Sequence, residues 1–173
     1  MSIELVREAI RDVKDFPTDG VVFKDISPVL QSRDLFKFVV DEIAERYMDL
    51  NLHSIVAIDA RGFIFGGALA YNCGCGVSIV RKKGKLPWET HSASYDLEYG
   101  SSELEIQVDA IQEGHNVMII DDVLATGGTA KATADLVEKT GAMIIGIEFM
   151  IELTFLNGRE KLQGYDVNSI ISY

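Results

Sequence analysis

Short apolar runs alternate with helix-patterned stretches along most of this chain, and that alternation narrows the fold more than any other feature. Residues 54–58, 77–80, 117–120 and 142–151 are predominantly apolar on both faces. The intervening stretches 62–72 and 129–140 start on glycine or a hydroxyl and carry helical rhythm. Strands apolar on both faces must be covered on both faces, so the pattern predicts an α/β chain with a central, mainly parallel sheet flanked by helices. At 173 residues the chain can bury about 70% of the surface it exposes when unfolded. No linker, repeat or low-complexity tract divides it, so one domain over 1–173 is expected.

Two stretches depart from the alternation. At the start, Ile3, Val6, Ile10 and Val13 recur at helical spacing through 2–14, and Phe16-Pro17-Thr18-Asp19-Gly20 then breaks the chain. A second amphipathic helix follows over 34–50, with Phe36, Val39, Val40, Ile43 and Tyr47 opposite Asp41, Glu42, Glu45 and Arg46. Further on, the period changes to two: Ala93, Tyr95 and Leu97, then Leu104, Ile106 and Val108 after Gly100-Ser101-Ser102. This predicts an antiparallel hairpin over about 88–110, projecting from the sheet with a polar tip suited to a flexible lid.

The formal charge of −11 argues against general binding to nucleic acid or anionic membranes, which needs a basic field. Glu4, Arg7, Glu8, Arg11 and Asp12 interrupt what a signal peptide would keep apolar, and no run reaches the about eighteen apolar residues of a membrane span. A cytoplasmic chain with no nucleic-acid or membrane partner is expected. Cys73 and Cys75 flank a glycine between a helix and a strand and read as small packed thiols. His53, His91 and His115 are scattered without metal-site spacing.

The most informative stretch is 117–129, Val-Met-Ile-Ile-Asp-Asp-Val-Leu-Ala-Thr-Gly-Gly-Thr. A buried strand meets two carboxylates, Asp121 and Asp122, before a loop of small residues opens a helix at Thr129. Gly127 and Gly128 allow positive φ and close backbone approach, Thr126 and Thr129 offer hydroxyl donors, and the helix start adds its positive dipole end. No lysine follows the glycines and no Gly-x-Gly-x-x-Gly is present, so neither a Walker loop nor a dinucleotide turn is indicated. Carboxylates next to an anion cradle suit a vicinal diol. The ligand inferred is a ribose 5-phosphate, with its sugar over Asp121 and Asp122 and its phosphate held by Ala125, Thr126, Gly127, Gly128 and Thr129.

This segment resembles the signature of the type I phosphoribosyltransferases: an apolar strand, two acids and a small-residue loop. The rest of the chain follows in register. Ala60, Arg61 and Gly62 correspond to the family's pyrophosphate loop. The basic run Arg81-Lys82-Lys83-Gly84-Lys85 resembles a segment that reaches pyrophosphate, often across a dimer interface. The resemblance thus implies Arg81, Lys82 and Lys85 as contributors and a homodimer as the working unit. Residues 92–106 resemble the catalytic hairpin of the adenine-specific branch, with Glu98 and Tyr99 on its motif. Residues 16–28 resemble that branch's small N-terminal hood, within an N-terminal region of about 1–30. They put the Phe23 ring and the Val22 and Lys24 backbone at the base, and Leu153 is its implied floor. A common form of the pattern has arginine where this chain has Lys24, so any role of a guanidinium there is lost.

The resemblance implies the type I phosphoribosyltransferase fold and transfer of a phosphoribosyl group from phosphoribosyl pyrophosphate (PRPP) to adenine, giving AMP and pyrophosphate. Magnesium is the implied cofactor, held by substrate rather than directly by protein ligands. Two other readings stay open on sequence grounds: a transferase for another purine base, and a PRPP-sensing regulator without catalysis. Against the regulator stand the acidic charge and the absence of an appended helix-turn-helix.

Overall fold

A computed structural model describes residues 1–96 and 101–173. The chain divides into two compact units, Met1–Glu42 and Ile43–Tyr173.

The first unit holds α1 (Ile3–Ala9), β1 (Arg11–Lys14), β2 (Val22–Asp25), α2 (Ser27–Gln31) and most of α3 (Arg33–Glu45). The helix expected over 2–14 therefore stops at Ala9. From Arg11 the chain pairs antiparallel with β2, setting Val13 opposite Phe23 and Lys14 opposite Val22. The spacing of Ile10 and Val13 fits a helix locally, but strand pairing with a segment beyond the turn satisfies the same backbone groups and prevails. Ion pairs Lys24–Asp12 at 2.6 Å and Arg11–Asp25 at 3.7 Å tie the ribbon side to side. Its connecting turn is closed by Gly20 N–H donating to Asp15 Oδ1 at 2.8 Å.

The second unit is built on β3 (Ser54–Ile58), β4 (Gly76–Lys82), β5 (Thr90–Asp96), β6 (Ser101–Gln107), β7 (Asn116–Leu124), β8 (Met143–Glu152) and β9 (Val167–Ser172). They form one sheet in the order β5-β6-β4-β3-β7-β8-β9. The pairs β4/β3, β3/β7, β7/β8 and β8/β9 are parallel. Helices α4 (Gly62–Cys73) and α5 (Gly128–Lys139) supply two of the crossovers. Ile55, Val56 and Ala57 of β3 and Val117, Met118, Ile119 and Ile120 of β7 are all 0% exposed, as two-sided cover requires.

The second unit also departs from the sequence expectation in three places. The helix expected over 34–50 ends at Glu45, where the chain tightens into i→i−3 bonds from Tyr47 to Ala44 and from Leu50 to Tyr47. The cause is a polar anchor in the core. Glu148 on β8 is fully buried and accepts from Arg46 Nη2 at 2.7 Å and Tyr47 Oη at 2.8 Å, so both residues turn toward it. Next, β6 pairs with β4, Arg81 opposite Glu105 and Lys82 opposite Leu104, and Leu104 and Ile106 are buried. The hairpin base thus extends the central sheet before the strands run out to Asp96 and Ser101. Finally, β9 adds an edge strand that the apolar pattern did not announce. No helix among the described residues is long and apolar enough to cross a membrane.

Candidate active site

Strands β3 and β7 are neighbours at the sheet centre, and the chain leaves them in opposite directions, from β3 to β4 and from β7 to β8. The crevice beyond their C-terminal ends is a topological switch point, the place where open α/β sheets bind ligands. The two loops read from sequence emerge there.

After β7, an open pocket is lined by Asp121, by each residue from Val123 to Ala130, and by Phe149. Strand β7 runs on through both aspartates to Leu124, so Asp121 pairs with Phe149 and Leu124 with Glu152 of β8. Gly127 takes the left-handed φ of +77° and caps α5 with no side chain bonded to the helix start. The first-turn amides and the positive end of the dipole therefore lie at this pocket.

The two acids have different surroundings. Asp121 lines the pocket, and its Oδ1 accepts the Asp122 N–H at 2.8 Å. Burial, together with the neighbouring Asp122 carboxylate, pushes the Asp121 carboxyl well above the ordinary carboxylate range. Asp122 is 5% exposed and bonded by the Arg61 guanidinium through Nε.

After β3, Asp59, Ala60 and Arg61 lead into α4 at Gly62. A Cβ on Gly62 would meet Ile120 O at 2.9 Å and Asp121 Oδ1 at 3.1 Å. Only glycine lets this loop sit against the strand that carries the acids. Arg81, at the end of β4, donates from Nε to Asp59 Oδ2 at 2.8 Å and from Nη1 to Lys85 O at 3.2 Å. Its guanidinium lies 5.9 Å from the Phe63 ring centre. In the turn beyond, Lys83 pairs with Glu103 at 2.8 Å, and Gly84 N–H donates to Glu105 Oε2 at 2.9 Å. Lys82 and Lys85 are exposed, and no carboxylate among the described residues pairs with them.

Asp121 and Asp122, the 125–129 loop, the 60–62 loop and the basic turn thus belong to the ends of three adjacent strands. Glu98 and Tyr99 lie outside the described residues. Val22, Phe23 and Lys24 lie in the first unit. There the Phe23 ring meets Phe16 edge-on, with centroids 5.2 Å apart, and Lys24 Nζ is held by Asp12. Leu153, in the second unit, is half-buried, and its N–H donates to Leu124 O at 2.9 Å. Sequence reasoning missed Asp59, Glu105 and Phe149. Asp59 could have been found from its place directly before Ala60-Arg61, but Phe149 carries no local signal.

The chain belongs to the phosphoribosyltransferase family: residues 29–168 match the phosphoribosyl transferase domain. Over 168 residues it is 50% identical to the adenine phosphoribosyltransferase of Pseudothermotoga lettingae, covering 97% of this chain and 99% of that protein. The crystal structure of adenine phosphoribosyltransferase from Thermoanaerobacter pseudethanolicus superposes with a TM-score of 0.96 at 48% identity, covering 99% of this chain and 100% of that one. The Saccharomyces cerevisiae enzyme, solved with D-2,5-dideoxy-2,5-imino-altritol 1,6-bisphosphate and adenine, gives 0.92 at 38% identity, with 97% of each chain covered.

Proposed function

We infer that the chain is an enzyme that transfers the 5-phosphoribosyl group of PRPP to adenine, giving AMP and pyrophosphate. The observation that carries this reading is the glycine-capped 125–129 pocket beside Asp121 at the switch point, in a chain whose relatives are adenine phosphoribosyltransferases.

Adenine displaces pyrophosphate at the anomeric carbon: a C–N bond forms, a C–O bond breaks, and the purine imidazole loses a proton. Bond breaking leads, so positive charge grows on the ribose and negative charge on the diphosphate. In our reading, Ala125, Thr126, Gly127, Gly128 and Thr129 hold the 5-phosphate, while Asp121 and Asp122 bind the ribose hydroxyls and favour the cationic sugar. Ala60, Arg61 and Gly62, with Lys82 and Lys85, receive the diphosphate, and Arg81 orders that turn through Asp59 and Lys85 O. Glu98 takes the purine proton, with Tyr99 beside it on the lid. We assign Phe23, the Val22 and Lys24 backbone and Leu153 to recognition of the base.

The donor set fits magnesium carried largely on substrate oxygens. The hard carboxylates of Asp121 and Asp122 adjoin the cradle, the donor type that magnesium prefers. When bound, the ion neutralises charge on the departing diphosphate.

We read the working unit as a cytoplasmic homodimer. Ile64 and Tyr71, seven residues apart on α4, expose 45% and 92% of their surfaces, an apolar stripe that suits burial against a second copy. Sedimentation showing a fully active monomer at assay concentration would remove this part of the reading.

Incubation with PRPP, magnesium and each purine base in turn, followed by nucleotide chromatography, tests the function. AMP from adenine is the expected product. Product only from another base would move the specificity, and no nucleotide from any base would overturn the reading.

A further inference from the structure

We propose that the turn at residues 157–159 is a positioning element of the phosphate cradle: Arg159, clamped by Glu152, seats Gly158 against Ala125 and Gly127 and so sets the cradle's shape. The inference rests on the reading of 125–129 as the 5-phosphate site.

Gly158 and the loop meet backbone to backbone. A Cβ on Gly158 would stand 2.2 Å from Ala125 O and 3.1 Å from Gly127 N, and a Cβ on Gly127 would stand 2.3 Å from Gly158 O. Neither glycine can take a side chain unless the other segment moves. The nearest opposing atom on each side is main chain, so that movement is a change in the cradle itself. Because the loop binds through its amides, a shift of a few tenths of an ångström degrades several hydrogen bonds together.

The turn is held from behind by a fork. Arg159 donates from Nε to Glu152 Oε1 at 2.6 Å, from Nη2 to Glu152 Oε2 at 2.7 Å and from Nη1 to Val167 O at 2.6 Å. Such a planar two-point contact fixes orientation as well as distance. Glu152 is itself immobilised: it is 5% exposed, accepts from Ser169 Oγ at 2.9 Å and lies on β8 opposite Leu124, the residue before the loop. One carboxylate therefore references the turn to the strand from which the cradle grows. Asn157 supplies the bend, with a left-handed φ of 52°. Arg159 directs three guanidinium N–H groups to Glu152 and Val167 and acts on the phosphate through Gly158, which makes it a positioning residue.

The test compares two ligands by titration calorimetry in the presence of magnesium. Ribose 5-phosphate probes the 125–129 loop and pyrophosphate probes the other. For Gly158→Ala, overpacking is expected to weaken ribose 5-phosphate by at least about tenfold, with pyrophosphate affinity held within about twofold because its site is separate. Arg159→Lys, which keeps the charge but loses the fork, should show the same split at several-fold. In kinetics the KM for PRPP should rise more than kcat falls. Parent-like ribose 5-phosphate binding in both variants would overturn the proposal. So would equal weakening of both ligands, the mark of a general loss of structure. If Gly158→Ala does not melt cooperatively, Arg159→Lys and Glu152→Gln read the same split. A parent chain that binds no ribose 5-phosphate sinks the site reading itself, a different result from variants that match a binding parent.

Discussion

The two loops at the switch point, which we propose hold the 5-phosphate and the diphosphate, are built in opposite ways. The 125–129 loop is made of small residues, a left-handed glycine and a helix start that receives no side-chain cap. It is a cradle of main chain, already shaped and braced. The 59–62 loop and the basic turn instead carry long cationic side chains, several of them engaged within the protein: Arg61 with Asp122, Arg81 with Asp59, Lys83 with Glu103. The first loop needs little rearrangement to bind. In the proposed reading, the second exchanges ion pairs within the protein for ion pairs with the diphosphate. The contrast suits the chemistry, since the 5-phosphate stays bound through the reaction while pyrophosphate has to leave.

The largest effect should come from the acids between the two loops. Asp121→Asn combined with Asp122→Asn should reduce turnover by about 10³ or more, the scale of removing preorganised transition-state electrostatics, while circular dichroism stays native. Near-parent activity would remove the ribose assignment. Glu98→Gln leaves both cradles untouched and isolates the proton transfer. PRPP affinity should hold while kcat falls by at least about tenfold, toward the about 10²–10⁴ typical of general acid-base catalysis. A parent-like kcat, measured where chemistry is limiting, would leave Glu98 a surface acid.

Arg61→Gln sharpens the comparison directly. Losing a charge-assisted contact should weaken pyrophosphate by about 10–100-fold, with ribose 5-phosphate affected much less; equal losses would erase the distinction between the loops. Smaller still, Lys82→Ala and Lys85→Ala should each raise the pyrophosphate dissociation constant several-fold. Lys83→Ala, which removes an exposed pair with Glu103, should change it by less than about twofold. The reverse ranking would mean that the pairs do not decide which cations serve the ligand.

The smallest expected effect concerns stability. Burial and Asp122 raise the Asp121 carboxyl above its unfolded value, so the folded state is disfavoured when that group is ionised. The penalty is present above the raised pKa and is relieved as pH falls through it. Asp121→Asn should therefore melt higher than the parent at neutral pH, by about 2–4 °C for each kcal/mol relieved in a chain of this size. The gap should close on acidification. A lower Tm at neutral pH would show that the carboxylate stabilises the free chain, against the assigned cause.

Much of this site was legible because it is contiguous. Residues 117–129 carry strand, acids, loop and helix start in one uninterrupted run, and the glycines and hydroxyls announce their roles by chemistry alone. Ala60-Arg61-Gly62 and the basic run are also contiguous, though their expected roles came from the family resemblance. Where the reading failed, two arrangements satisfied the local rule equally well. Ile3, Val6, Ile10 and Val13 keep helical spacing, yet Arg11–Lys14 is a strand because Val22–Asp25 lies across from it. Likewise the rhythm of 34–50 gives no sign that Arg46 and Tyr47 leave the helix for Glu148.

The sequence by itself determined the layered α/β architecture and singled out 117–129 as the candidate phosphate segment, since periodicity, turn chemistry and dipole direction act between residues close along the chain. Tertiary structure alone decided which cations are engaged, because Lys83 meets Glu103 only when β6 pairs with β4, and Arg81 meets Asp59 only when β4 lies beside β3. It also brought Phe149 to the pocket and Gly158 to Gly127. Those contacts join residues far apart in the chain, and no local preference encodes a distance that exists only after the strands have taken their order in the sheet.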